Sequence, residues 1–126
     1  MSKRNMKSFE VIGGKKLNGD LIPQGAKNEA LQVICAVLLT PDTVTISNIP
    51  DILDVRLLIG ILEELGVETQ RIDDNTYSFK AENIHLEKLD DPAFQQKANR
   101  LRGSVMIAGP LLSRFGKSFI PKPGGD

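Results

Sequence analysis

From Lys27 onward, Leu31, Ile34, Cys35 and Leu38 recur at helical spacing, and Val33 and Val37 widen the apolar face until it nearly encircles the helix. A helix of that kind belongs in an interior. Pro41 and Asp42 end it, residues 43–47 are β-rich, and Asn48-Ile49-Pro50 turns the chain. Asp51 or Asp54 can then cap a second helix, whose Val55, Leu58, Ile59, Leu62 and Leu65 form one stripe and which stops at Gly66. Residues 67–72 and 76–80 flank Asp73-Asp74-Asn75, which predicts a hairpin. Phe9 and Val11 alternate with polar neighbours, and turn residues precede Leu21-Ile22, so residues 8–23 read as an earlier hairpin. Helices and strands in alternation predict a mixed α/β (α+β) fold.

The last third is less regular. Residues 84–89 suit a short strand, and Asp90-Asp91-Pro92 opens a stretch expected to become helical over 99–115, with a kink or break at Gly109-Pro110. Residues 117–121 read as a strand running into Lys122-Pro123-Gly124-Gly125-Asp126, a turn sequence from which a fragment of something longer is expected.

Composition excludes several function classes. Basic and acidic residues balance at 16 each, which gives no support to a nucleic-acid footprint or a polybasic membrane patch. No apolar run has the length of a membrane span or a signal peptide. Aromatic residues make up 5% and Trp is absent, which suits an aliphatic core rather than a stacking platform. The single cysteine, Cys35, rules out an intrachain disulfide framework and points to the cytoplasm.

Chemistry gathers at Gly25-Ala26-Lys27-Asn28, between Asp20-Leu21-Ile22-Pro23 and the first helix. Glycine allows a sharp turn and close approach of a ligand to the backbone. The following helix directs unpaired N–H groups and the positive end of its dipole at the turn, and Lys27 adds a full charge. Asn28 brings a donor and an acceptor. The chemistry is that of an anion site, and a phosphorylated small molecule is the ligand it suits. Cys35 lies on the apolar helix side and reads as core. His85, the only histidine, has no Cys or carboxylate at metal-ligand spacing, so no metal site is expected. Arg100 reads as a solvated or salt-bridged surface residue, and Glu63-Glu64 and Asp73-Asp74 as solvated charges.

Taken in order, Gly25-Ala26-Lys27-Asn28-Glu29-Ala30-Leu31, Asn48-Ile49-Pro50-Asp51, Asp54-Val55, Leu65-Gly66, Leu101-Arg102-Gly103-Ser104, Gly109–Gly116 and Pro123-Gly124-Gly125 resemble the N-terminal part of one enolpyruvyl transferase family. The family is that of the UDP-N-acetylglucosamine 1-carboxyvinyltransferases, and the resemblance covers about residues 8–126. It implies an inside-out α/β barrel enzyme of two domains with the active site in the cleft between them, of which this chain is roughly the first third. Residues 1–23 would then form a tail and hairpin packing with the C-terminal half, and residues 24–126 an incomplete part of the other domain.

The activity implied is transfer of the enolpyruvyl group of phosphoenolpyruvate to the 3′-hydroxyl of UDP-N-acetylglucosamine with release of phosphate, the first committed step of peptidoglycan synthesis in the cytoplasm. No metal or organic cofactor is required. By motif, Lys27 and Asn28 fall on the pair that contacts phosphoenolpyruvate and the sugar nucleotide, and Arg102 falls on an arginine that binds UDP-N-acetylglucosamine. Asp126 stands where most members carry the catalytic cysteine of a Pro-Gly-Gly-Cys loop, the residue that the epoxide fosfomycin alkylates. An enclosed carboxylic acid can donate the same proton. The resemblance implies that this chain alone is inactive, and apolar faces meant for absent strands imply self-association.

Two other readings stay open. The sister enzymes, the 5-enolpyruvylshikimate-3-phosphate synthases, share fold and chemistry but carry a Gly-Ser-Lys-Ser type turn, against which Asn28 and the Pro-Gly-Gly loop argue. The other is a free-standing, non-catalytic module that binds an anion or a partner surface.

Overall fold

Leu58, Ile61, Leu62 and Leu65 are fully enclosed, and around this stripe the rest of the chain is arranged. It lies on helix α2 (Leu53–Glu64) and its C-cap, in a computed structural model that describes residues 8–122. Burying each such side chain contributes about 1.5–3 kcal/mol. Before α2 come α1 (Lys27–Cys35), a 3-10 turn over Ala36–Leu39 and strand β1 (Thr43–Ile46). After it come β2 (Glu68–Asp73) and β3 (Thr76–Lys80), a 3-10 turn over Leu86–Asp90, α3 (Pro92–Asn99), a 3-10 stretch over Arg102–Ile107, and α4 (Ala108–Phe115).

The three strands form one antiparallel sheet in the order β1-β3-β2. Phe79 sits at its centre, opposite Val44 on one side and Thr69 on the other, and is fully buried beneath the helices. The mixed fold expected from the pattern is thus present, and no closed barrel forms among the described residues. None of the described helices is long and apolar enough to cross a membrane.

Several boundaries follow their sequence signals. Gly66 takes φ of 100°, and a Cβ there would overlap the Asn83 carbonyl oxygen, so the stop after α2 needs glycine. Asp91 caps α3 by accepting from the Ala93 N–H at 3.0 Å, with Pro92 at the first helical position. Proline in a helix interior would break it, but Pro110 lies in the first turn of α4, where its missing N–H removes no intrahelical bond.

Other expectations are corrected. Residues 8–23 contain no strand. Phe9 is 98% and Leu17 92% exposed, and a two-stranded ribbon without a covering layer is marginal in water. Residues 84–89 hold a 3-10 turn instead of a strand, because the His85 N–H is taken by the Leu65 carbonyl at 2.7 Å and the Lys88 N–H turns back to His85. No strand forms over 117–121, where the Lys122 N–H bonds to the Asn99 side chain at 2.8 Å. The helix expected over 99–115 is two shorter elements, and α3 begins earlier, at Pro92. Neither Asp51 nor Asp54 caps α2. The N-cap is Ile52, and both carboxylates are drawn to cations instead.

Candidate anion-binding cleft

The N-terminus of α1 is fixed from behind by a close backbone approach. A Cβ on Gly25 would overlap the Asn48 carbonyl oxygen and lie 3.2 Å from Pro50 Cδ, so this position seats the turn against the loop between β1 and α2. Ala26 is the N-cap, extended in φ and ψ, and no side chain caps the helix. The first-turn N–H groups therefore keep their donor capacity at the positive end of the helix dipole. Lys27 and Asn28 stand in that first turn.

Facing them is the segment joining α3 to α4. Its backbone is held by Leu101, which is buried, and by Ser104, whose fully buried Oγ donates toward the carbonyls of Ala98 at 2.6 Å and Leu101 at 2.7 Å. Gly103 lets the segment close on α1, since a Cβ there would come within 3.0 Å of Leu31 Cδ1.

Between these walls lies an open cleft of about 400 Å³ lined by Lys27, Asn28, Leu31, Asp54, Arg100–Gly103, Val105 and Met106. Lys27, Asn28 and Arg102, singled out separately in the sequence, thus line one cleft. Arg100, read as a surface residue, is exposed but lines the same cleft. Asp54, read as a cap, is the partner of Lys27, with Nζ 3.3 Å from Oδ2. Both side chains are about half exposed (51% and 40%), so the pair contributes little to stability and can open to a stronger anion. Asp126 lies outside the described residues, as do Pro123, Gly124 and Gly125.

A smaller hollow of about 100 Å³ borders the other side of the same helix start, lined by Gly25, Ala26, Glu29 and residues 46–49. Its one charged side chain is Glu29, which disfavours an anion there.

Burial pushes the Cys35 thiol up to about 12, so it is a core residue with no thiolate to offer at neutral pH. His85 faces Glu87 at 3.5 Å near the surface. No group of three or more His, Cys, Asp or Glu is placed to hold a metal among the described residues.

Comparison with known proteins places the chain among enolpyruvyl transferases. The model of the EPSP synthase (3-phosphoshikimate 1-carboxyvinyltransferase) family matches residues 11–126. The chain is 55% identical over 121 residues to the UDP-N-acetylglucosamine 1-carboxyvinyltransferase of Bacteroides thetaiotaomicron, covering 96% of this chain and 28% of that protein. It is 50% identical to the protein of the same name from Porphyromonas gingivalis, with the same coverage. The crystal structure of the enolpyruvyl transferase NikO from Streptomyces tendae superposes with a TM-score of 0.64 at 26% identity, over 82% of this chain and 23% of that one. The chain therefore spans about 28% of the length of the curated relatives it matches.

Proposed function

Because the chain belongs to the EPSP synthase (3-phosphoshikimate 1-carboxyvinyltransferase) family, we propose that it forms part of an enzyme transferring the enolpyruvyl group of phosphoenolpyruvate to the 3′-hydroxyl of UDP-N-acetylglucosamine. The observation that carries this reading is the convergence of Lys27, Asn28 and Arg102 on one cleft at an uncapped helix start. The names of the relatives support the sugar nucleotide, rather than a shikimate phosphate, as acceptor. Peptidoglycan synthesis, and through it cell-wall growth and cell division, is the setting this activity serves, with the enzyme in the cytoplasm.

The chemistry is addition followed by elimination. C3 of phosphoenolpyruvate takes a proton, the sugar oxygen bonds to C2 as its own proton leaves, and the C2–O bond to phosphate then breaks as C3 gives a proton back. Phosphoenolpyruvate carries a phosphate and a carboxylate, and both acquire their full value as binding handles only where preorganised cations meet them. Lys27 and the first-turn N–H groups of α1 suit the phosphate. The planar fork of Arg102 suits an anionic group of the sugar nucleotide. Asp126, at the loop position given by the sequence resemblance, is the proposed proton donor.

We assign residues 24–126 to one incomplete domain and residues 1–23 to a segment that packs with the rest of a longer protein. The exposure of Phe9, Val11, Leu17, Leu21 and Ile22 supports that assignment. The same faces favour self-association of the 126-residue chain. Sedimentation across micromolar to millimolar concentration checks this, and a monodisperse monomer throughout contradicts it.

The functional reading is tested in the protein at the length of its relatives by phosphate release from phosphoenolpyruvate with each acceptor in turn. Release with UDP-N-acetylglucosamine and none with shikimate 3-phosphate is expected. The reverse preference overturns the assignment of acceptor.

A further inference from the structure

We propose that Arg100 is a specificity-determining residue that holds the diphosphate of the sugar nucleotide, beside Arg102 and across the cleft from Lys27. The proposal deepens the functional reading above and rests on it for the identity of the ligand.

Three observations carry it. The first is placement: Arg100 and Arg102 both line the cleft, two residues apart with buried Leu101 between them. The second is rigidity. The Arg100 N–H bonds to the Lys97 carbonyl at 3.2 Å, the Leu101 N–H to Ala98 at 3.2 Å, and the buried Ser104 hydroxyl ties the same turn from below. Two guanidinium groups are thus presented from a fixed backbone rather than from a loose loop, which lowers the entropy lost when they bind.

The third is charge. The cleft lining holds three cations, Lys27, Arg100 and Arg102, against one carboxylate, Asp54, which already pairs with Lys27. Among the described residues neither arginine forms an ion pair or a side-chain hydrogen bond, whereas Arg56, Arg71 and Arg114 all do. Two exposed arginines on one cleft wall, neither with a carboxylate partner among the described residues, leave their donors to water. An anion with several oxygens spread over two centres engages both, and a diphosphate has that form. The wall opposite, with Lys27 and the α1 N-terminus, is left to the single phosphate of phosphoenolpyruvate.

Arg100→Ala and Arg100→Lys are compared with the unchanged protein at the length of its relatives, by calorimetric titration with UDP-N-acetylglucosamine and separately with inorganic pyrophosphate, and by steady-state kinetics. Arg100→Ala is expected to weaken binding of both ligands about tenfold and to raise KM for the sugar nucleotide to match. KM for phosphoenolpyruvate, kcat and the thermal midpoint should stay within about twofold or a degree, and Arg100→Lys should recover part of the loss. Unchanged affinity of Arg100→Ala for both ligands overturns the proposal. Should the unchanged protein bind pyrophosphate but not UDP-N-acetylglucosamine, the acceptor assignment fails, and the pyrophosphate titration alone decides whether Arg100 is a diphosphate ligand.

Discussion

Gly25 packs so closely on Asn48 that a single added methyl would overlap the asparagine's carbonyl oxygen. The contact joins the start of α1, which carries Lys27 and Asn28, to the loop before α2, which carries Asp54. Gly25→Ala should cost about 1–3 kcal/mol, because the obstacle is backbone and cannot swing aside. It should also weaken phosphoenolpyruvate binding by moving Lys27. Thermal melting and a binding titration check the two effects, and an unchanged melting point would show that the turn yields freely.

Asp51 accepts from Arg56 Nε at 2.6 Å and has Arg71 within 3.8 Å. The hydrogen bond from Arg56 holds its carboxyl below the usual value of 3.8, and the Asn75 N–H does the same for Asp73. A carboxylate whose folded value is depressed adds stability above its unfolded value and loses it as pH falls through the folded one. The melting temperature should therefore be level from neutral pH down to about 4 and then drop. Both groups are exposed, so the share removed by Asp51→Asn should be small, and it should shrink as pH falls below the usual carboxylate range. A larger effect of Asp51→Asn at pH 2 than at pH 7 would reverse the assigned sign.

The helical core and the β2–β3 hairpin were legible because their signals are local. The stripe from Val55 to Leu65 and the Asp73-Asp74-Asn75 turn need no distant partner to be read. The elements misread in the sequence depend on tertiary bonds: the Leu65 carbonyl captures His85, and Asn99 captures Lys122. Phe9 and Val11 alternate as a strand should, yet no strand among the described residues pairs with them. At the site, Lys27, Asn28 and Arg102 were each found from local chemistry or motif resemblance. Asp54 was mistaken for a cap because a carboxylate just before a helical stripe has the same sequence signature whether it bonds to an N–H or to a lysine.

Fosfomycin should fail to inactivate the protein. Alkylation needs a thiolate, and within these 126 residues the one cysteine, Cys35, is buried with its thiol pushed up to about 12. Asp126, at the proposed loop position, offers a carboxylate, a much weaker nucleophile toward an epoxide. Asp126→Cys should restore covalent inactivation in the protein at the length of its relatives. Intact-mass spectrometry after incubation with fosfomycin and UDP-N-acetylglucosamine reads both. An adduct on the unchanged protein, or none on Asp126→Cys, contradicts the placing of Asp126.

Whether the cleft headed by Lys27 binds phosphoenolpyruvate for enolpyruvyl transfer is measured most directly by kcat/KM for phosphoenolpyruvate in Lys27→Ala against the unchanged protein, with the product weighed. Losing one preorganised charge on the reacting phosphate should cost about 3 kcal/mol, a hundredfold or more in rate. Enolpyruvyl-UDP-N-acetylglucosamine is expected from the unchanged protein, with a fall of that size in Lys27→Ala. A Lys27→Ala protein that forms the same product within about threefold of the unchanged rate would contradict that role for the cleft.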